Sequence, residues 1–130
     1  MPEPADFPLA EEELDRAAFE ELAEEIGHDG ASEIRAVFFA ETEARLKLLR
    51  RLSLDAERAR IGREAHSLKS AAATFGYRRL ANLARQIETG AEQLSRERYL
   101  DLLDEVDRAY GAGRALDRQY EEQRSTIAAE

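Results

Sequence analysis

Three side chains in the middle of the chain, His66, Lys69 and Glu88, have the types and spacing needed for nucleophilic chemistry on an anionic group. His66 and Lys69 are three residues apart, so on a helix they lie on the same face. An ammonium group in that position can neutralise negatively charged oxygens near the imidazole. A carboxylate such as Glu88 that accepts the Nδ1 proton would leave Nε2 as the attacking nitrogen. We therefore predict a nucleophilic histidine that acts on an anionic ligand.

The residues one helical turn from His66 are small, which predicts an open approach to the imidazole. Gly62 precedes His66 by four residues and Ser70 follows it by four. Glycine costs about 1 kcal/mol relative to alanine inside a helix, so its presence next to the histidine suggests a purpose. We predict that the space admits another protein, and we assign five residues to this partner-binding surface: Gly62, Arg63, Ser70, Ala73 and Gly76.

The elements that must position these residues are helices. Alanine, leucine, glutamate, lysine and arginine make up 78 of the 130 residues, whereas valine, isoleucine and threonine together contribute 11. Apolar residues in the two central segments recur at steps of three and four, as they do at the contact face of a bundle helix: Ile61, Ala65, Leu68, Ala72 and Phe75, then Tyr77, Leu80, Ala84, Ile87, Ala91 and Leu94. We predict an all-α fold, an antiparallel up-down four-helix bundle with an additional short N-terminal helix.

Prolines, glycines and helix-capping residues divide the chain into three parts. We predict an extended arm over residues 1–10, which holds all three prolines, a bundle over 11–123 and a frayed tail over 124–130. The additional helix spans 11–26 and stops at a glycine-containing turn in which His28 is a solvated loop residue. The four bundle helices then begin near Ser32, Ala56, Tyr77 and Ser95, and the first of them carries Ile34 and Val37 on its apolar face.

Composition excludes several classes of function. The absence of cysteine removes disulfides, thiol nucleophiles and cysteine-based metal sites, and the two histidines are too far apart in sequence for a metal-binding pair. A net charge of −9 argues against nucleic-acid binding. No apolar run is long enough to span a membrane, and the N-terminus lacks the features of a signal peptide, so we expect a cytoplasmic protein.

The run HSLKSAAATFG from His66 to Gly76, followed by Leu80, Ala84 and the pair Ile87-Glu88, resembles the histidine-containing phosphotransfer (HPt) domain family. The likeness extends over about residues 14–110. It implies that His66 is the phosphoacceptor, that Lys69 stabilises the phosphoryl group and that Glu88 orients the imidazole. Family members commonly have glycine directly after the lysine, where this chain has Ser70.

The resemblance implies a relay of phosphoryl groups between His66 and aspartates of response-regulator receiver domains, with a hybrid histidine kinase as a further possible partner. The receiver would contribute Mg²⁺, and the chain itself would need no cofactor. The sequence has no glycine-rich nucleotide loop, so we expect a phosphoryl carrier rather than a kinase, acting as a monomer. Two alternatives stay open: a helical adaptor that binds a receiver or kinase without accepting phosphate, and a structural bundle that self-associates.

Overall fold

The structure is a computed structural model that describes residues 14–129, with side chains up to residue 126. This part of the chain contains no strand, and its one β-type pairing is an isolated bridge between Leu14 and Tyr77. The predicted all-α class is therefore confirmed. The four helices are α1 (Arg16–Arg51), α2 (Arg58–Thr74), α3 (Arg78–Gly90) and α4 (Arg96–Ala129). None of these helices is long and apolar enough to cross a membrane.

The helices form an antiparallel ring in which each contacts two neighbours. Helix α1 packs against α2 and α4, and α3 packs against the same two helices. Contacts between α1 and α4 run in opposite directions along the chain: Arg35 binds Asp117, whereas the later Arg50 binds the earlier Asp104. The short connections between consecutive helices produce the same antiparallel arrangement throughout. The predicted up-down bundle is thus present.

The core is built from the predicted apolar seams. On α2 the residues Ile61, Ala65, Leu68 and Ala72 are all fully buried, and Leu80, Ala84 and Ile87 of α3 are buried against them. An aromatic cluster closes one end of the bundle, where the ring of Phe38 stacks on the rings of Phe75 and Tyr77. Because α2 and α3 are fixed along their whole length by this core, residues on their outer shoulders occupy defined positions.

The additional N-terminal helix is not confirmed as a separate element. Residues 16–26 are the first part of α1, and Gly27 is the one residue inside that helix with non-helical torsion angles, φ 82° and ψ 162°. Glycine adopts positive φ at little cost, so the chain kinks there and the helix resumes at His28 rather than near Ser32. Asp15 caps the start by accepting a hydrogen bond from the amide of Ala18. The predicted arm over 1–10 and residues 11–13 lie outside the described residues.

Three other predicted boundaries are wrong by a few residues. Helix α2 begins at Arg58 instead of position 56, and α3 ends at Gly90, so that Leu94 falls in the following turn. Helix α4 continues through the predicted frayed tail to Ala129. In that tail Arg124 binds Asp29 of α1 as well as Glu121 of its own helix, which ties the last turns of α4 to α1.

Two residues predicted on the apolar face of α1 lie outside the core. Ile34 and Val37 are 43% and 56% exposed, whereas the core face passes through Ala31, Arg35, Phe38, Phe39 and Thr42. The prediction failed because Arg35 is charged and was not counted as a core residue. With Arg35 included, Ala31, Arg35, Phe38 and Thr42 recur at steps of four, three and four along one side of the helix.

Candidate functional site

His66 lies on the outer shoulder of α2, and its side chain is 60% exposed. Its neighbour Ala65 and the nearby Leu68 are fully buried against the other helices, so α2 cannot rotate to bury the imidazole without exposing core. The histidine is thereby presented to solvent on a rigid element. A partner molecule can reach it without any rearrangement of the bundle.

Glu88 of α3 is the hydrogen-bond partner of the imidazole. Its Oε2 contacts Nδ1 of His66, and its position on α3 is fixed by the buried Ile87 directly before it. When Glu88 is ionised, Nδ1 must carry the proton and donate it to the carboxylate. The tautomer that results has its lone pair on Nε2, and this is the nitrogen left available for attack.

Lys69 binds the second oxygen of the same carboxylate. Its Nζ donates to Oε1 of Glu88 at 2.7 Å, so one carboxylate bridges an ammonium group and an imidazole. The hydrogen bond from Lys69 has the largest effect on the pKa of the Glu88 carboxyl group. Together with the hydrogen bond from His66, it lowers that pKa below the ordinary value. Glu88 is therefore an anion at neutral pH, as an orienting hydrogen-bond acceptor must be.

The predicted partner-binding residues divide into exposed and packed positions. Arg63, Ser70 and Ala73 are exposed on α2, where a partner can touch them. Gly62 is half-buried, and a Cβ atom built on it would lie 3.4 Å from Cβ of Ala91. This is an ordinary van der Waals distance, so a Cβ atom would fit against the turn after α3 and packing alone does not require a glycine here.

Gly76 does not belong to an exposed surface, contrary to the prediction. It is buried in the turn between α2 and α3 at φ 84°, and a Cβ atom there would lie 2.7 Å from the carbonyl oxygen of Asp15. The amide of Asp15 also donates to the carbonyl oxygen of Gly76 at 2.6 Å. Gly76 is explained by its positive φ and by the close approach of the chain before α1.

Comparison with known proteins identifies the domain. The family model for the Hpt domain matches residues 33–112, which include the whole of α2 and α3 and so all three clustered side chains. The chain belongs to the Hpt domain family. Histidine phosphotransfer in two-component phosphorelays is therefore its function.

A solved structure shows the same fold. The histidine-containing phosphotransfer protein B (HptB) from Pseudomonas aeruginosa PAO1 is 22% identical in sequence, with a TM-score of 0.77 over 85% of this chain and 96% of that one. No curated protein matches the chain. At this level of identity the likeness concerns the arrangement of helices, and the roles of individual side chains must be argued from this chain's own geometry.

One polar cluster of this Hpt domain was missed in the sequence. Arg35, whose side chain is 1% exposed, donates from Nε to Asp117 and from Nη2 to Glu121, both at 2.6 Å. Its guanidinium also lies 4.5 Å from the centre of the Phe19 ring. The available signal was an arginine on an apolar helix face together with two carboxylates four residues apart in the last helix.

The second histidine of the Hpt domain is remote from this chemistry. His28 lies within α1 immediately after the kink, so the predicted loop position is wrong, although the residue is exposed as expected. Its Nδ1 lies 2.9 Å from the hydroxyl of Tyr120 on α4. Within residues 14–129, His28 has neither a carboxylate on its ring nor a neighbouring lysine, and it serves below as a matched control.

Proposed function

We propose that His66 is the phosphoacceptor of this Hpt domain and exchanges phosphoryl groups with aspartates of receiver domains. The observation that carries the proposal is the single carboxylate of Glu88 shared by Nδ1 of an exposed His66 and by Nζ of Lys69. This arrangement combines a nucleophile of fixed tautomer, a group that neutralises the ring and a cation for the phosphoryl oxygens.

The transfer step balances with the groups present. Nε2 of His66 attacks the phosphorus of an aspartyl phosphate on the partner, so an N–P bond forms while the acyl O–P bond breaks. The aspartate leaves as a carboxylate. Nδ1 of His66 keeps its proton throughout, and the positive charge that develops on the ring is neutralised by Glu88. The reverse sequence passes the phosphoryl group to a second receiver.

Lys69 supplies the cation closest to the reaction. In the unphosphorylated domain it is bound to Glu88, and it lies on the same face of α2 as the histidine, one turn further along. Incoming phosphoryl oxygens offer the ammonium group a second anionic partner. Because phosphoryl transfer through a loose transition state depends mainly on positioning and charge neutralisation, a histidine and a lysine on one rigid helix are sufficient on this side of the reaction.

The protein acts in this proposal as a carrier. Its sequence contains no glycine-rich nucleotide loop, so the phosphoryl group comes from another protein, and Mg²⁺ is contributed by the receiver domain. A histidine kinase that carries its own receiver is a suitable donor. The cytoplasmic location and the monomeric state stay predictions.

The direct test is labelling of the histidine. Receiver domains of the source organism, each phosphorylated in advance, are mixed with the parent protein, with His66→Gln and with His28→Gln. We expect the parent and His28→Gln to gain an acid-labile, base-stable phosphoryl group, and His66→Gln to gain none. Labelling of His66→Gln would refute the proposal, and a receiver that binds the parent without transferring phosphate would instead support an adaptor.

A further inference from the structure

The two helices that carry the clustered side chains are basic, although the protein is acidic. Helices α2 and α3 together contain seven arginine and lysine residues and two glutamates, a net charge of +5. Since the whole chain carries −9, all remaining residues together carry −14. Both α1 and α4 are net negative, each with eight acidic and six basic residues. Charge is thus segregated between the α2–α3 hairpin and the rest of the molecule.

Both acidic residues of the hairpin are already engaged. Glu64 binds Arg45 of α1 at 3.2 Å, and Glu88 binds Lys69 and His66. Neither carboxylate is left to neutralise the exposed arginines of α2 and α3. The outer face of the hairpin therefore keeps its positive charge.

Three arginines of the hairpin are exposed and have no acidic partner among the described residues: Arg60, Arg63 and Arg85. The guanidinium of Arg85 donates to the neutral side chain of Asn82. The other four cations are occupied: Arg58 binds Asp55, Lys69 binds Glu88, Arg78 lies 3.9 Å from Asp15 and Arg79 lies 4.0 Å from Glu105.

Two of the three arginines flank the histidine from opposite ends. Arg63 precedes His66 by three residues on α2, and Arg85 precedes Glu88 by three residues on α3. Residues three apart on a helix lie on the same side, and α2 and α3 run antiparallel, so the two arginines lie on either side of the His66–Glu88 pair along the hairpin. A partner that covers His66 meets positive charge at both ends of the contact.

We infer that this arginine surface, formed by Arg63 and Arg85, recognises a protein partner that presents acidic side chains around its phosphoryl group. The inference rests on the proposed function, because it describes the partner of the same histidine. Opposite charges at the rim of an interface accelerate association and orient the encounter, while contributing less to the chemical step. The negative charge on the remaining faces of the bundle disfavours encounters in other orientations.

The test compares charge reversal on the hairpin with the same reversal elsewhere. The variant Arg63→Glu/Arg85→Glu is set against Arg108→Glu/Arg118→Glu, which reverses two exposed arginines of α4 and changes the net charge equally. Transfer from a phosphorylated receiver is measured at roughly 0.01 M and 1 M salt, where electrostatic interactions extend over about 30 Å and 3 Å. Each rate is divided by the rate of labelling with phosphoramidate, a small donor that has no protein surface.

We expect the hairpin variant to lower this ratio by about 10-fold or more at low salt, with most of the loss removed at high salt. The α4 variant should stay close to the parent. Equal ratios for both variants, or a loss that is independent of salt, would overturn the inference. If the parent is labelled at His66 by neither donor, the proposed function itself fails, and the two failures are thereby distinguished. Matching thermal midpoints show that each variant is folded.

Discussion

Lys69 and Glu88 form an ion pair in the unphosphorylated protein, with Nζ 2.7 Å from Oε1, and the other oxygen of the same carboxylate contacts the imidazole of His66. The lysine that is proposed to bind phosphoryl oxygens is thus held by a carboxylate until those oxygens arrive. Glu88 has two separable roles in this arrangement. It accepts a hydrogen bond from the ring, and its charge holds the ammonium group.

Substitutions of Glu88 should separate these roles. Glu88→Gln keeps an amide oxygen that can accept from Nδ1 but removes the charge that binds Lys69. Glu88→Ala removes both the hydrogen-bond acceptor and the charge. We expect phosphotransfer rates to fall in the order parent, Gln variant, Ala variant. If the Gln and Ala variants are equally slow, the charge of Glu88 rather than its orienting hydrogen bond is what matters.

Lysine 69 should also control the ionisation of Glu88. The Lys69 hydrogen bond is the largest cause of the lowered pKa of Glu88, so carbon-detected NMR titration should give a value below the ordinary 4.5. For a carboxyl group with a depressed pKa, the stabilising interaction is complete above the ordinary pKa and is lost as the pH falls through the depressed one. In Lys69→Ala the titration of Glu88 should move to higher pH. An unchanged titration would show that Lys69 does not hold the carboxylate in solution.

Two buried tyrosines should respond differently to loss of their hydroxyl groups. Burial raises the pKa of both phenols, that of Tyr99 to about 12, so both are protonated at neutral pH. The hydroxyl of Tyr99 donates to the carbonyl oxygen of Leu49 at 3.1 Å, whereas that of Tyr77 is buried with no partner in the described part of the chain.

We expect Tyr99→Phe to lower the free energy of unfolding by about 0.5–1.5 kcal/mol. Tyr77→Phe should leave it unchanged or raise it, because an unpaired hydroxyl is removed from the interior. Urea denaturation of the two variants beside the parent measures both effects. A clear loss of stability in Tyr77→Phe would indicate a hydrogen bond, for example to a bound water molecule, that the described contacts lack.

The fold was predictable where apolar periodicity alone decides it. The alternating steps of three and four on α2 and α3 place Ile61, Leu68 and Leu80 in the core, as the structure confirms. The face of α1 was not predictable in this way, because Arg35 takes a core position through carboxylates more than 80 residues later in the chain. Periodicity detects apolar residues, and it cannot show which distant acids will neutralise a buried cation.

The members of the candidate site and the pairing of His66 with Glu88 were predictable, whereas the pairing of Lys69 with Glu88 was not. His66 and Glu88 each follow a buried seam residue by one position on antiparallel helices, and this relation alone brings them together. The ion pair between Lys69 and Glu88 depends on the side-chain rotamers of both residues, which the sequence does not specify. For Gly62 the sequence could not show that the residue lies against Ala91 in the turn after α3, because that contact is made by a residue almost thirty positions later.

The carboxylates that hold Arg35 should contribute strongly to stability. A guanidinium that is 1% exposed cannot recover its interactions with water when Asp117 and Glu121 lose their charge. We expect Asp117→Asn/Glu121→Gln to lower the free energy of unfolding by about 3–5 kcal/mol. As a control, Glu43→Gln, which neutralises an exposed pair with Lys47, should cost no more than about 0.5 kcal/mol.

A third variant tests whether the unpaired buried charge of Arg35 causes the expected loss of stability. Arg35→Met removes the cation and keeps much of its volume, and replacing a buried charge by an apolar side chain is often tolerated. Arg35→Met should therefore be more stable than the double variant that strands the cation. If the double variant is as stable as Glu43→Gln, the Arg35 cluster contributes little in solution.

Gly76 lies in the turn between α2 and α3 and contacts the chain just before α1. Alanine substitutions at three glycines should separate the effects of packing, backbone torsion and helix propensity on stability. A Cβ atom at Gly76 meets the carbonyl oxygen of Asp15 at 2.7 Å and requires a residue with φ 84°, so Gly76→Ala should destabilise the fold. At Gly111, inside α4, a Cβ atom meets nothing within 4 Å, and Gly111→Ala should stabilise the helix by about 0.5–1 kcal/mol. Gly27→Ala isolates the cost of the torsion angle, because that glycine also has positive φ but open space around it.

We expect the denaturant midpoints to fall in the order Gly111→Ala, parent, Gly27→Ala, Gly76→Ala. Should Gly27→Ala and Gly76→Ala be equally destabilised, the contact with Asp15 adds nothing beyond the backbone strain, and the chain before α1 is not packed firmly against the turn.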